Sequence, residues 1–426
     1  MSEEAVVVGG GPGGLRAAVA LAKVGRRVTL LQEGAHAGGY AHPEIPIGRG
    51  VTVKPTPLAE RLYGAFRPVE GLERAVLLDG KVRPLPLGRA DLARYLPAAQ
   101  LPGAAVAWGR TRGAIELRKV IGGGAEQRTY RDWVVQRFGE PVFERFYAAY
   151  CEARFGPPAE ISCNVARLYH GVVNDGPLHA PAAGPALAPV GVDVRTNVTI
   201  RGITTGQVET DEGLFPGEVF VDIAPRRVVE WLGSGASTEL HNDVGFLTAR
   251  AALQVTLRAP EDLPFETHVL GGAPFYRIVR PGLLPGCGAL AGHLSVHYTV
   301  ADGDPLLHLS EAELGARTAA ALDAVGIRGA NPDGARAQIV RDHHPAWTGT
   351  HLVRMRRYAL ALEDLEIVPV GRAGLHAPLD LGAETTWLEA ALADERPPLR
   401  ALVRDHVEPP VLDPVERAHL TRFVER

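Results

Sequence analysis

The first forty residues pass from an unbroken apolar run to glycines, to a mixed helical pattern, and to a second apolar run. Ala5-Val6-Val7-Val8 is short and wholly apolar, the pattern of a strand buried on both faces of a parallel sheet. Leu15 to Val24 is rich in Ala, Leu and Val and stops at Gly25, which predicts a helix with a glycine just past its end. Arg27-Val28-Thr29-Leu30-Leu31 predicts the second strand. Further on, Arg74 to Leu87 holds two apolar runs around Asp79-Gly80, a strong hairpin signal. A helical region opens at Tyr130 and carries Phe143, Phe146, Tyr147 and Tyr150. The last two are three apart, hence on one helix face. The alternating stretch at His297-Tyr298 predicts a further strand. Pro177 to Pro189 is Ala/Pro-rich and reads as a connector.

The turn after the first strand is Gly9-Gly10-Gly11-Pro12-Gly13-Gly14, which contains G-x-G-x-x-G as Gly9, Gly11 and Gly14. Gly9 serves the tight turn, Gly11 the approach of a pyrophosphate, and Gly14 the close packing of helix on strand. The helix N-terminus supplies unpaired N–H groups and the positive end of a dipole. Glu33 ends the second strand, about 20 residues on, where a carboxylate accepts from ribose hydroxyls. Strand, glycines, helix, strand and acid in this order predict a dinucleotide site.

Composition narrows the function. At 426 residues the chain exceeds what one core usually supports, so two domains are expected. A net charge of −4 and a pI near 6.4 provide no basic field for nucleic acid. Cys151, Cys163 and Cys287 have neither metal-site nor disulfide spacing. No metal motif and no Gly-x-Ser-x-Gly elbow occurs. The acidic start and the lack of a long apolar run predict no signal peptide, no membrane span and a cytoplasmic protein.

Gly34-Ala35-His36-Ala37-Gly38-Gly39, directly after Glu33, resembles the acid-then-Gly-Gly segment of the flavoprotein group that includes amine oxidases, protoporphyrinogen oxidase, phytoene desaturases and UDP-galactopyranose mutase. Tyr130 to Gly139, continuing to Phe155-Gly156-Pro157-Pro158-Ala159-Glu160-Ile161-Ser162, is similar to a helical stretch of protoporphyrinogen-oxidase-like proteins and the mutases. Gly371-Arg372-Ala373-Gly374 resembles the group's final flavin-contacting element. The resemblance implies an α/β protein with a discontinuous Rossmann-like FAD-binding domain and an inserted α+β substrate domain. Expected boundaries are 1–75, 190–235 and 335–395 for the FAD domain, and 76–189 and 236–334 for the substrate domain. Residues 396–426 would form a C-terminal helical tail. It also implies non-covalent FAD held by Gly9, Gly11, Pro12, Gly13, Gly14, Glu33, Gly38, Gly39, Gly371, Arg372 and Gly374, with Val198 passing the adenine through its backbone.

The chain departs from the group where a segment ending in Asp-x-Gly-x-His is usual. Thr52-Val53-Lys54-Pro55-Thr56 aligns there, so Lys54 is either a group beside the flavin or a surface lysine on a loop. His343 and His344 precede the last FAD segment; they are acid–base candidates or loop structure. The mutases bind a diphosphate through arginines and stack a base on aromatic residues, which makes Tyr276, Arg277 and Arg280 candidates for substrate contact. The mutase pattern around them is not evident, and Arg277 is alternatively a structural or general carboxylate contact. Tyr147 belongs either to a substrate-facing wall or to core packing. The expected activity is that of an FAD-dependent oxidoreductase on a small organic molecule, in keeping with bacterial specialised metabolism. The alternatives are a redox-neutral flavoenzyme of the mutase type and a flavin-holding protein without turnover. Oligomeric state stays open.

Overall fold

The computed structural model describes residues 3–35, 37, 66–68, 72–85, 87, 91, 94–107, 109–110, 113, 129–163, 165–166, 179–181, 191–259, 263–284, 288–348 and 351–376. They form two units. The first is drawn from within 1–69, 178–248 and 350–408, the second from within 70–177 and 249–349.

The first unit is built on a five-stranded, all-parallel sheet. Its strands run side by side as Ile367–Pro369, Glu218–Val221, Glu4–Val8, Arg27–Gln32 and Val192–Thr196. Val6, Val7, Leu30, Leu31, Val219, Phe220 and Val221 are all buried, so both faces are covered. Pro12–Lys23 crosses between the first two strands and buries Leu15, Ala18 and Leu21 in the same core. After the first strand the chain turns to one neighbour, and it returns much later as Glu218–Val221 on the other side. Such a reversal of order opens a crevice at the carboxyl ends of the strands. A three-stranded antiparallel sheet, Ile200–Thr204, Gln207–Thr210 and Leu214–Pro216, extends this unit.

The second unit holds a seven-stranded mixed sheet, in the order Asn331–Pro345, Ala249–Arg258, His293–Ala301, Arg277–Val279, Glu266–Val269, Arg74–Leu78 and Lys81–Pro84. Leu253, Val255, Ile278 and Val296 face an apolar core shared with Leu314 and Leu322 of the helix Glu311–Ala324. Ser310 and Glu313 close that helix's N-terminus with a capping box. The hairpin at Asp79-Gly80 forms with both residues at positive φ, 52° and 66°, the conformation Asp-Gly favours in two-residue turns. A second cluster gathers around Tyr130–Phe138 and Ala148–Arg154, with Trp133, Phe143, Phe146 and Tyr147 buried in it.

Four segments fall outside the domains expected for them; residues 72–75 lie in the second unit and 179–181 in the first. Residues 335–345 belong to a fifteen-residue strand paired with Ala249–Arg258 in the second unit. Their mixed polar pattern is that of an edge strand with little apolar signal. Residues 236–248 lie in the first unit, where Asp243 of the helix Thr238–Gly245 is tied to Arg354 and Arg357 of the helix His351–Asp364. The Ala/Pro-rich connector contributes a short strand, His179–Pro181, paired with Phe66–Pro68. The tail 396–426 lies outside the described residues. Among the described residues, no helix is long and apolar enough to cross a membrane.

Candidate functional site

In the first unit the glycine loop sits at the carboxyl end of Glu4–Val8, at the order reversal. Its backbone is held from three sides. Gly9 N–H donates to the Leu31 carbonyl at 2.9 Å, Gly10 N–H to Gln32 Oε1 at 2.6 Å, and Gly14 N–H to Asp222 Oδ2 at 2.8 Å. A Cβ on Gly14 would fall 1.9 Å from the Gly9 carbonyl oxygen, and one on Gly13 would fall 2.3 Å from the Gly371 Cα. No side chain fits at either place. The distant Gly371 segment therefore closes directly on the loop, backbone against backbone. Gly11 N-caps the helix and Pro12, which has no N–H, is its first residue. The Gly13 amide then belongs to the first turn, where the helix offers no acceptor. This is a cradle of backbone that suits a pyrophosphate.

Asp222 is the functional candidate that sequence reasoning missed. It is buried, its N–H donates to the Val8 carbonyl, and its carboxylate lies against Gly11, Gly13 and Gly371. The available signal was an acid ending an apolar run, but its place beside the loop depends on the parallel pairing of Glu218–Val221 with Glu4–Val8.

Glu33 accepts two bonds from Arg227, both at 3.1 Å, and Arg227 also reaches Glu230 and lies over the Trp231 ring. Val198 is buried beside the second strand, its N–H donating to the Gln32 carbonyl at 3.2 Å. Gly374 packs on the Val221 carbonyl, where a Cβ would come within 2.1 Å. Gly38, Gly39 and Lys54 lie outside the described residues, as do the side chains of Pro12 and Arg372.

The second unit brings polar side chains together on one sheet face. Gln338, Gln254, His297, Arg277 and His268 are partners in register across five adjacent strands, and partners in register share a face. This face is opposite the apolar core of Leu253, Val255 and Val296. Arg277 donates to Glu266 at 3.0 Å and to His297 Nδ1 at 3.2 Å. Glu266 also lies 3.6 Å from His268. Burial pushes the Glu266 carboxyl up, but His268 and Arg277 outweigh it and hold the group well below the usual carboxylate range. Beside the row, Gln254, Thr256 and Ser295 bond to one another. The helix Ala148–Arg154 reaches the His268 end, with the Tyr150 hydroxyl 3.4 Å from His268 Nδ1 and Arg154 on Tyr150.

The sequence-expected residues divide accordingly. Arg277 stands in the row, and Tyr276 packs edge-on against Tyr150 and His297. Tyr147 is buried in the aromatic cluster, stacked on Phe138 with centroids 5.7 Å apart; Tyr150, three residues on, is the one that meets the row. His343 and His344 lie half-buried at the end of the edge strand, their rings 4.5 Å apart, and His344 pairs in register with Arg250. They share a sheet with the row.

Residues 7–57 match the family model of an NAD(P)-binding Rossmann-like domain. No curated protein matches the sequence. Among solved structures, the chain is similar to reduced UDP-galactopyranose mutase, with a TM-score of 0.71 and 14% identity over 96% of this chain and 100% of that one. The chain shares that protein's fold. A proposed protoporphyrinogen oxidase from Exiguobacterium sp. 255-15 is similar as well, with a TM-score of 0.60 and 18% identity over 92% of this chain and 99% of that one. Cyclohexylamine oxidase from Brevibacterium oxydans IH-35A gives a TM-score of 0.58 and 13% identity, over 94% and 99%. At these identities the likeness is one of fold.

Proposed function

We propose that this amine-oxidase-like chain is an FAD-dependent oxidoreductase acting on a small organic molecule. The observation that carries the reading is the loop at Gly13, where the Gly371 backbone leaves Gly13 no room for a side chain and the Asp222 carboxylate leaves Gly371 none. That geometry joins the first glycine segment to the last one at a helix N-terminus, as a dinucleotide pyrophosphate requires. Gly9, Gly11, Gly13 and Gly14 would hold the pyrophosphate, with Pro12 fixing the loop. Gly38, Gly39, Gly371, Arg372 and Gly374 would lie along the remaining phosphate and flavin half. Glu33 would meet the ribose. A carboxylate has about four acceptor sites, so the two bonds from Arg227 orient it and leave sites for the hydroxyls. Val198 would lie along the adenine.

FAD, when bound, supplies the two-electron chemistry, and the protein supplies orientation and electrostatics. Asp222 fixes the loop by holding the Gly14 amide. Tyr276 and Arg277 would contact the substrate, and Lys54, His343 and His344 are the candidates for moving a proton. The test is anaerobic mixing of flavin-loaded protein with panels of amines, acids and alcohols. Bleaching of the flavin band by one of them supports the reading; an unchanged spectrum throughout sinks it. The TM-score of 0.71 with reduced UDP-galactopyranose mutase favours one second reading, a redox-neutral conversion. Turnover that needs prior flavin reduction but consumes no reductant would select it.

A further inference from the structure

In the polar row, the chemistry of His297 is fixed by its neighbour. Arg277 Nη2 lies 3.2 Å from His297 Nδ1. A guanidinium has donors only, so Nδ1 must be the bare, accepting nitrogen. Burial first, and then the positive charge of Arg277, hold the imidazole neutral, well below its ordinary range. A neutral ring with a bare Nδ1 carries its proton on Nε2. Nε2–H is therefore a hydrogen-bond donor. His297 is only 4% exposed, and this donor meets no acceptor among the described residues. The Nε–H of Arg277 is likewise buried without an acceptor. Buried donors are normally paired, and one left without a partner bears its full desolvation penalty.

The surroundings give the missing acceptor a sign. Glu266 is already engaged by Arg277 and His268. Arg277 and Arg154 both bring positive charge to bear on His297, opposed by Glu266. Gln254, its partner in register, bonds to the hydroxyls of Ser295 and Thr256. Hydroxyls donate or accept, so the Gln254 amide can turn either end towards a ligand and does not oppose an anion.

We infer that His297 Nε2–H donates to a carboxylate of the substrate, which makes the substrate an organic acid. This deepens the proposed function and rests on reading the polar row as the substrate wall. The test uses flavin-loaded, full-length protein with isotope-labelled histidine, followed by proton–nitrogen spectra at neutral pH, with the His297 signal assigned by His297→Gln. The expected result is the Nε2–H tautomer, and a downfield shift of that proton on titration with sodium benzoate but not with benzamide. His297→Phe should weaken benzoate binding roughly ten- to hundredfold, the effect of losing a hydrogen bond to a charged group. An Nδ1–H tautomer, or equal responses to benzoate and benzamide, would overturn the inference. Flavin content read on the same samples separates the two claims. A flavin-free chain whose His297 still answers benzoate sinks the broader reading alone; a flavin-loaded chain with a silent His297 sinks the inference alone.

Discussion

In the five-stranded sheet the central strands bury apolar side chains on both faces, and the loop at their ends, Gly9–Gly14 closed by Gly371, presents backbone held by the Gln32 and Asp222 side chains. In the seven-stranded sheet one face is apolar, while the other carries Gln254, His268 and His297, all buried, and the half-buried Arg277. The first arrangement presents peptide groups and tolerates no side chain there. The second presents side chains whose protonation is set by their neighbours. The difference predicts different failures. Damage to the first should be steric and all-or-none, and damage to the second electrostatic and partly reversible by a second change.

The most severe test of that contrast is Gly14→Val. With a Cβ directed at the Gly9 carbonyl, the helix cannot sit on the sheet, and the expected outcome is loss of soluble folded protein on expression. Arg277→Met should come next. It leaves the largely buried Glu266 without its closer partner, a loss of about 3–5 kcal/mol by urea unfolding. Adding Glu266→Gln should recover most of that loss, which no second change should do for Gly14→Val. Asp222→Leu removes the acceptor of the Gly14 amide and should cost about 1–3 kcal/mol, whereas Asp222→Asn, which keeps an acceptor oxygen, should cost less.

Acid should weaken the fold through its buried imidazoles. Burial, with His351 nearby, brings His376 down to about 3. Between the unfolded value, about 6.5, and that folded value, the unfolded chain binds a proton that the folded chain refuses. The stability contribution is therefore complete above the unfolded value and is lost as pH falls, by roughly 1.4 kcal/mol per pH unit. Unfolding midpoints measured across that window should show the slope, and His376→Gln should flatten it. The smallest effect belongs to Arg227→Ala. The Glu33 pair is partly exposed on both sides, so stability should change by at most about 1 kcal/mol.

The two regions also differed in how far they could be read beforehand. Gly9, Gly11, Gly14 and the Asp79-Gly80 turn are legible because each motif lies within one short stretch of the chain, where residue type and spacing carry the signal. Arg277 and Tyr276 were found as residue types, but not their setting. His268, Gln254 and His297 come from separate stretches and become one row only through the register of four strand pairings, which one sequence does not display. Asp222 was hidden for the same reason. Residues 335–345 of the edge strand Asn331–Pro345 fall outside their expected domain because the strand's alternation is carried mainly by polar residues, leaving His343 and His344 without a recognisable sheet around them. Glu33 was recognised as an acid at a strand end, while its partner Arg227 lies on a helix far along the chain.

The most direct test of the account is the flavin content of the protein as purified after loading with FAD. Denaturing release followed by absorbance and chromatography should give about one FAD per chain for the wild type. Gly13→Ala, if it folds, should give little or none, since its Cβ would fall against Gly371. A wild-type chain that stays colourless, or one that takes NAD(P) in preference to FAD, would contradict the account.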